Sequence, residues 1–151
     1  MSRGWLAVFA AACACGGSSH APAASGDQLG AIRITGNRAI ASDELEAALA
    51  LHEAIGDGAA VDPYLLGLDT ARIRAAYLRR GFFAATVTPA VEQRGGHQIV
   101  TFTVAEGRRA VTRVEITGLP PEVAPAAARA AVGLGDGAPF DYDTYDAAKQ
   151  P

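Results

Sequence analysis

The chain has little from which to build a disulfide framework or a redox centre. Its two cysteines among 151 residues, Cys13 and Cys15, sit near the N-terminus. A bridge between them would close a very small, strained loop, so the part of the chain able to fold carries no thiol chemistry. Histidine is scarce as well. His20, His52 and His97 are scattered, and "HEAIG" lacks the second histidine of a zinc-protease helix, so no metal cluster is visible. No segment is long and apolar enough to span a bilayer as a helix. A formal net charge of −3 with a pI near 5.5 argues against a general nucleic-acid binder. Aromatic residues make up 7% of the chain, and much of its 50% hydrophobic content is alanine, so any core uses few large side chains.

Motifs of reaction chemistry are missing too. "DYDTYD" alternates acidic residues, but Tyr145 and Asp146 occupy the wrong places for an EF-hand. "GLGDG" follows a helix and not a strand, which removes a dinucleotide-binding reading. No nucleophile–base or acid–base constellation stands out. The expectation is a non-enzyme without a cofactor or metal.

The N-terminus is better defined. Arg3 precedes a short apolar run, Trp5 to Ala12, followed by "AACACGGSS". That length is a signal-peptide core and not a stop-transfer helix, giving an expected signal at 1–15. It resembles a bacterial lipoprotein signal, with Cys15, or Cys13, as the acylated residue. Ala12 stands where such signals usually place leucine, so lipidation and ordinary cleavage both remain open. Residues 16–28 are small, with proline and glycine, and read as a tether.

The chain is organised around residues 71–107. Ile73, Ala76 and Tyr77 recur at helical spacing, with Arg72, Arg74, Arg79 and Arg80 as polar surface. Gly81 is placed for a left-handed helix stop. Alternation follows: Phe83, Ala85, Val87, Pro89 and Val91 on one side, Thr86 and Thr88 on the other. "RGGH" is a hairpin turn. The return strand sets Val100, Phe102 and Val104 against Thr101 and Thr103. Pro89 cannot donate a ladder hydrogen bond, so its strand is expected at a sheet edge.

A lone hairpin and one helix bury too little surface to stand alone. Residues 29–70 supply the remainder. Ile32 and Ile34 mark a half-buried strand, and Gly36-Asn37 turns the chain. Ser42 is the expected cap of a helix carrying Leu45, Ala48 and Leu49, ended by "IGDG". Asp62-Pro63 starts a second helix, with Leu66, Ile73 and Tyr77 on its inner face. The expected fold class is α+β, ordered β-α-α-β-β, with two helices on one face of a three-stranded mixed sheet.

Three segments carry a family likeness: "IRITGNRAIASDEL", "IRAAYLRRGFFAATVTPAV" and "IVTFTVAEG". Their ordered combination resembles a POTRA (polypeptide-transport-associated) domain of BamA-type and TamA-type outer-membrane assembly factors, over residues 29–107. The pattern then restarts. "VTRVEITGLP" repeats "LGAIRITGNR", with Val114 and Ile116 in the places of Ile32 and Ile34. Pro121 is expected to open a helix through Val132, and Asp141 to cap another. Residues 111–151 thus resemble an incomplete second POTRA unit, its last part more TamA-like, and on this reading the sequence is a fragment.

The resemblance implies a periplasmic protein-binding module at the outer membrane of a Gram-negative cell. Its partners would be unfolded outer-membrane proteins or assembly-machinery subunits, with no nucleic acid. Membrane attachment would come from a lipid anchor or a C-terminal barrel absent from this sequence. Strand addition at an exposed sheet edge is the implied mechanism. The expected contact residues are Ala84, Thr86 and Thr88 on the edge strand, Phe82 and Phe83 beside it, and Arg72 and Arg79 on the second helix. A structural cell-envelope scaffold that handles no clients is the alternative.

Overall fold

A computed structural model describes residues 27–150. The expected signal, with Cys13 and Cys15, and nearly all of the expected tether lie outside these residues.

Three strands form one mixed sheet: β1 (Leu29–Thr35), β2 (Thr86–Arg94) and β3 (His97–Ala105), in the order β1-β3-β2. β3 is central because its two neighbours reach it differently. It pairs in parallel with β1, setting Ile32 beside Val100 and Ile34 beside Phe102. It pairs antiparallel with β2 in unbroken register from Arg94↔His97 to Thr86↔Ala105. Gly95 and Gly96 turn the hairpin at φ 61° and 81°, the pair of positive values that a two-residue turn matched to strand twist requires. Val100, Phe102 and Val104 point into the core, while Thr35, Thr86, Thr88 and Thr103 cover the opposite, solvent-facing side. This is the expected α+β layer.

The helical layer departs from expectation. The single first helix is two short ones, α1 (Ser42–Glu46) and α2 (Leu51–Asp57). Leu49 and Leu51 are both buried. In one continuous helix, residues two apart point about 200° from each other and cannot share an inner face. The break at 47–50 resolves this conflict. Asp69 makes the second start possible: its carboxylate accepts from the Ala50 and Leu51 amides at 2.9 and 2.8 Å. Ser42 is not the cap of α1. Ala41 holds that position, and Ser42 Oγ instead accepts from Asn37 Nδ2 at 2.9 Å.

The long helix α3 (Pro63–Arg79) starts as expected, with the Asp62 carboxylate accepting from the Tyr64 amide at 2.7 Å. It ends in a paired closure. The Gly81 amide donates to Leu78 O and the Phe82 amide to Tyr77 O, both at 3.0 Å, with Gly81 at φ 85°. Phe82 then packs edge-on against Tyr77, ring centres 5.7 Å apart, the apolar contact that accompanies this type of helix stop.

Beyond the sheet, α4 (Pro125–Val132) and α5 (Tyr142–Ala147) complete the described chain. α4 starts at Pro125, not at Pro121; residues 121–123 form a turn with the Val123 amide donating to Pro120 O. Asp141 caps α5 as expected, accepting from the Thr144 amide at 3.0 Å. Val114 and Ile116 lie in a segment that joins no sheet among the described residues.

Candidate functional site: the outer edge of β2

The strand order leaves one side of β2 without a strand partner among the described residues. Which of its amides face outward follows from β3. The Gln98 amide donates to Gln28 O at 2.8 Å, so Gln98 turns its backbone toward β1. Successive residues of a strand turn their backbone groups to opposite sides. Val100, Phe102 and Val104 therefore also serve β1, and Ile99, Thr101, Thr103 and Ala105 serve β2. Their partners across the hairpin are Glu92, Ala90, Thr88 and Thr86. The backbone groups of Val87, Pro89, Val91 and Gln93 consequently face away from the sheet.

This sets what the expected contact residues present at the edge. The amides of Thr86 and Thr88 are turned inward to β3, so these residues offer a guest only their exposed side chains. A proline at 86 would break the native sheet and not a guest contact. β2 also starts later than expected. Phe82 to Ala85 form a tight turn closed by the Ala85 amide on Phe82 O at 3.0 Å, so Phe83 and Ala84 are not strand residues. Phe82 is core. Phe83 is 55% exposed and leans on Phe140, ring centres 5.2 Å apart. Ala84 packs beside Gly107.

The row of outward groups has a closed end. Arg74 Nε donates to Ala85 O at 3.3 Å, occupying the carbonyl that precedes Val87 in the row. Beyond it the row reads donor and acceptor at Val87, acceptor alone at Pro89, and donor and acceptor at Val91 and Gln93. Val87 and Pro89 are half-buried and Val91 is 42% exposed.

The arginines of α3 are engaged within the chain. Arg72 reaches Asp69 Oδ1 at 3.2 Å and Ala48 O at 3.3 Å. Arg79 pairs with Asp143, and Arg80 with Glu44 at 2.5 Å. Arg79 and Arg80 line a cleft of ≈ 250 Å³ with Ala76 and three acids, Glu44, Asp141 and Asp143, so acids outnumber bases there.

The residues that carry the family likeness converge on one partly buried knot. Glu106 Oε1 accepts from the Arg38 amide at 2.5 Å, the Ala39 amide at 2.7 Å and the Tyr77 hydroxyl at 3.0 Å. Asn37 holds the same loop by donating to Ile40 O at 3.0 Å. Burial pushes the Glu106 carboxyl up, but the Ala39 and Arg38 amides, the Tyr77 hydroxyl and the Arg38 charge together hold it below the usual carboxylate range. Burial, then the Glu106 hydrogen bond and charge, push the Tyr77 hydroxyl well above an ordinary tyrosine. These residues therefore fix the β1–α1 loop to α3 and the end of β3. They do not form a reactive centre.

Residues 28–107 match the family model described as POTRA, surface antigen variable number repeat. The chain belongs to the POTRA family. Among solved structures, the crystal structure of Haemophilus influenzae BamA POTRA3-5 is 23% identical with a TM-score of 0.50, covering 81% of this chain and 48% of that one. The N-terminal domain of Omp85 from the thermophilic cyanobacterium Thermosynechococcus elongatus is 21% identical, TM-score 0.44, covering 80% and 51%. CdiB from Escherichia coli is 21% identical, TM-score 0.38, covering 50% and 13%. The fold likeness rests on the first. The chain spans about half the length of the BamA fragment it matches. No curated protein matches the sequence.

Two features of the POTRA unit escaped sequence reasoning. One is the Asp69 cap of α2. Its signal was an acid on the inner stripe of Leu66, Ile73 and Tyr77, where a charge requires partners. The other is the assignment of outward amides, which depends on hairpin register. Among the described residues no three His, Cys, Asp or Glu side chains converge on a metal position, and no helix is long and apolar enough to cross a membrane.

Proposed function

We propose that this POTRA unit is a periplasmic protein-binding module of an outer-membrane assembly or translocation factor. In this reading it receives extended segments of nascent outer-membrane chains or of assembly-machinery subunits along the outer edge of β2. The unpaired backbone row at Val87, Pro89 and Val91 carries the reading. Backbone pairing suits clients of varied sequence, because every residue offers a carbonyl and nearly every residue an amide. The test is Val91→Pro, which removes an outward donor and leaves the β3 pairs intact. The full chain should keep its circular dichroism and bind an unfolded outer-membrane peptide at least several-fold more weakly, with Val91→Ala near the parent. Equal binding by a folded Val91→Pro protein would exclude strand addition here.

The N-terminal segment would deliver the chain across the inner membrane of a Gram-negative cell, with Cys15 or Cys13 lipidated or the signal simply cleaved. Fatty-acid labelling of the parent, Cys15→Ala and Cys13→Ala proteins separates these. Residues 111–151 would be the start of a second POTRA unit. Supporting this, α4 ends on left-handed Gly133 as α2 ends on Gly58, and Asp141 caps α5 as Asp62 caps α3. Strands that complete it, and a membrane-embedded barrel, would follow in a longer protein.

The scaffold alternative draws on a different observation. Arg109 donates to Arg80 O at 2.7 Å and to Phe140 O at 3.1 Å, and the Ala110 amide donates to Gly81 O at 2.9 Å. This clasp ties 108–150 to the end of α3, as a spacer of set shape would need.

A further inference from the structure

The geometry points to Pro89 as a specificity-determining residue of the β2 edge, one that makes the centre of the edge able to accept but not to donate. This rests on the strand-addition reading above.

Pro89 stands between the two outward donors, Val87 and Val91, and opposite Phe102 of β3. Phe102 turns its backbone to β1, so no hydrogen bond within the sheet is lost through the ring. The missing N–H is missing only on the outer side. An antiparallel guest would exchange two hydrogen bonds with Val87 and two with Val91. With Pro89 it would make one, its own N–H donating to the Pro89 carbonyl. The guest carbonyl at that position would lose water and gain no donor.

The gap weighs most heavily against a second copy of β2. Two-fold antiparallel pairing about Pro89 would set each Pro89 carbonyl against the other copy's proline ring, with no N–H for either. A foreign strand with an ordinary residue there still donates. Arg74 on Ala85 O closes the row at one end, so the edge fits a short segment paired at Val87 on one side of Pro89 and at Val91 and Gln93 on the other. An interrupted row of this kind limits the uncontrolled pairing to which a long uniform edge is prone.

The test restores the donor. In full-length Pro89→Ala, labelled with ¹⁵N, the new amide at position 89 should exchange rapidly with solvent. A fluorescent peptide of alternating threonine and valine, flanked by lysines, should bind about threefold to tenfold more tightly than to the parent, the worth of one net hydrogen bond. The new amide should become protected in the complex. Pro89→Val, which fills more of the ring's volume, repeats the measurement should the alanine protein unfold. A position-89 amide already protected in the unliganded variant would overturn the inference and leave the binding reading standing. So would equal affinity of a binding parent and a binding variant. Absence of binding by parent and variants alike would overturn both.

Discussion

Removing the Glu106 carboxylate should cost far more than an exposed glutamate normally does. Glu106 is partly exposed, yet it is the acceptor for the fully buried Tyr77 hydroxyl and for two backbone amides. In Glu106→Ala the Tyr77 hydroxyl keeps its burial and loses its partner, a cost of about 1–3 kcal/mol. The Arg38 and Ala39 amides lie near solvent and regain water, adding about 1 kcal/mol. The expected total is about 2–4 kcal/mol, a large share of the roughly 4–12 kcal/mol available to a domain of this size. Tyr77→Phe alone should cost about 1 kcal/mol, since it removes donor and need together. The double variant should therefore be more stable than the sum of the singles predicts, by about 1–2 kcal/mol. Urea unfolding of the four proteins, followed by far-ultraviolet circular dichroism, measures this. Additivity within about 0.5 kcal/mol would show that the hydroxyl is not held by Glu106.

The same pair sets a pH window. Glu106 titrates lower in the fold than in the unfolded chain, so its contribution is full above the unfolded value and is lost as pH falls through the lowered native one. Tyr77 is raised, so its contribution is full below the ordinary tyrosine value and is lost as pH climbs toward the native one. Tyr77→Phe should flatten the alkaline limb of a stability–pH curve, and Glu106→Gln the acid limb. Asp69→Ala should cost about 2–4 kcal/mol by stripping a buried cap from the Ala50 and Leu51 amides, and those amides should lose hydrogen-exchange protection first. Gly81→Ala meets both a φ of 85° and the Phe140 carbonyl oxygen 2.8 Å from the added Cβ; it should cost about 1–2 kcal/mol and expose the Ala110 amide to exchange. Arg79→Ala should change stability by about 0.2–1 kcal/mol, because its pair with Asp143 is solvated on both sides.

Local chemistry determined much of this protein from the sequence alone. Strand alternation placed Val100, Phe102 and Val104 inward and the threonines outward, because side chains on a strand must alternate. Asp62-Pro63 and Gly81 bounded α3, because capping needs an oxygen at one end and a left-handed residue at the other. Pro89 marked an edge strand, because it has no N–H to give. Tertiary structure alone decided the rest. The split between α1 and α2 depends on Asp69, distant in sequence, which supplies acceptors to a second helix start. The late start of β2 depends on Phe82 folding back onto Tyr77, which draws Phe83 and Ala84 into a turn. The inward amides of Thr86 and Thr88, and the outward ones of Val87 and Val91, depend on which side of β3 belongs to β1. A sequence states which residues can pair; the neighbour on the far side of the central strand states which way each amide points.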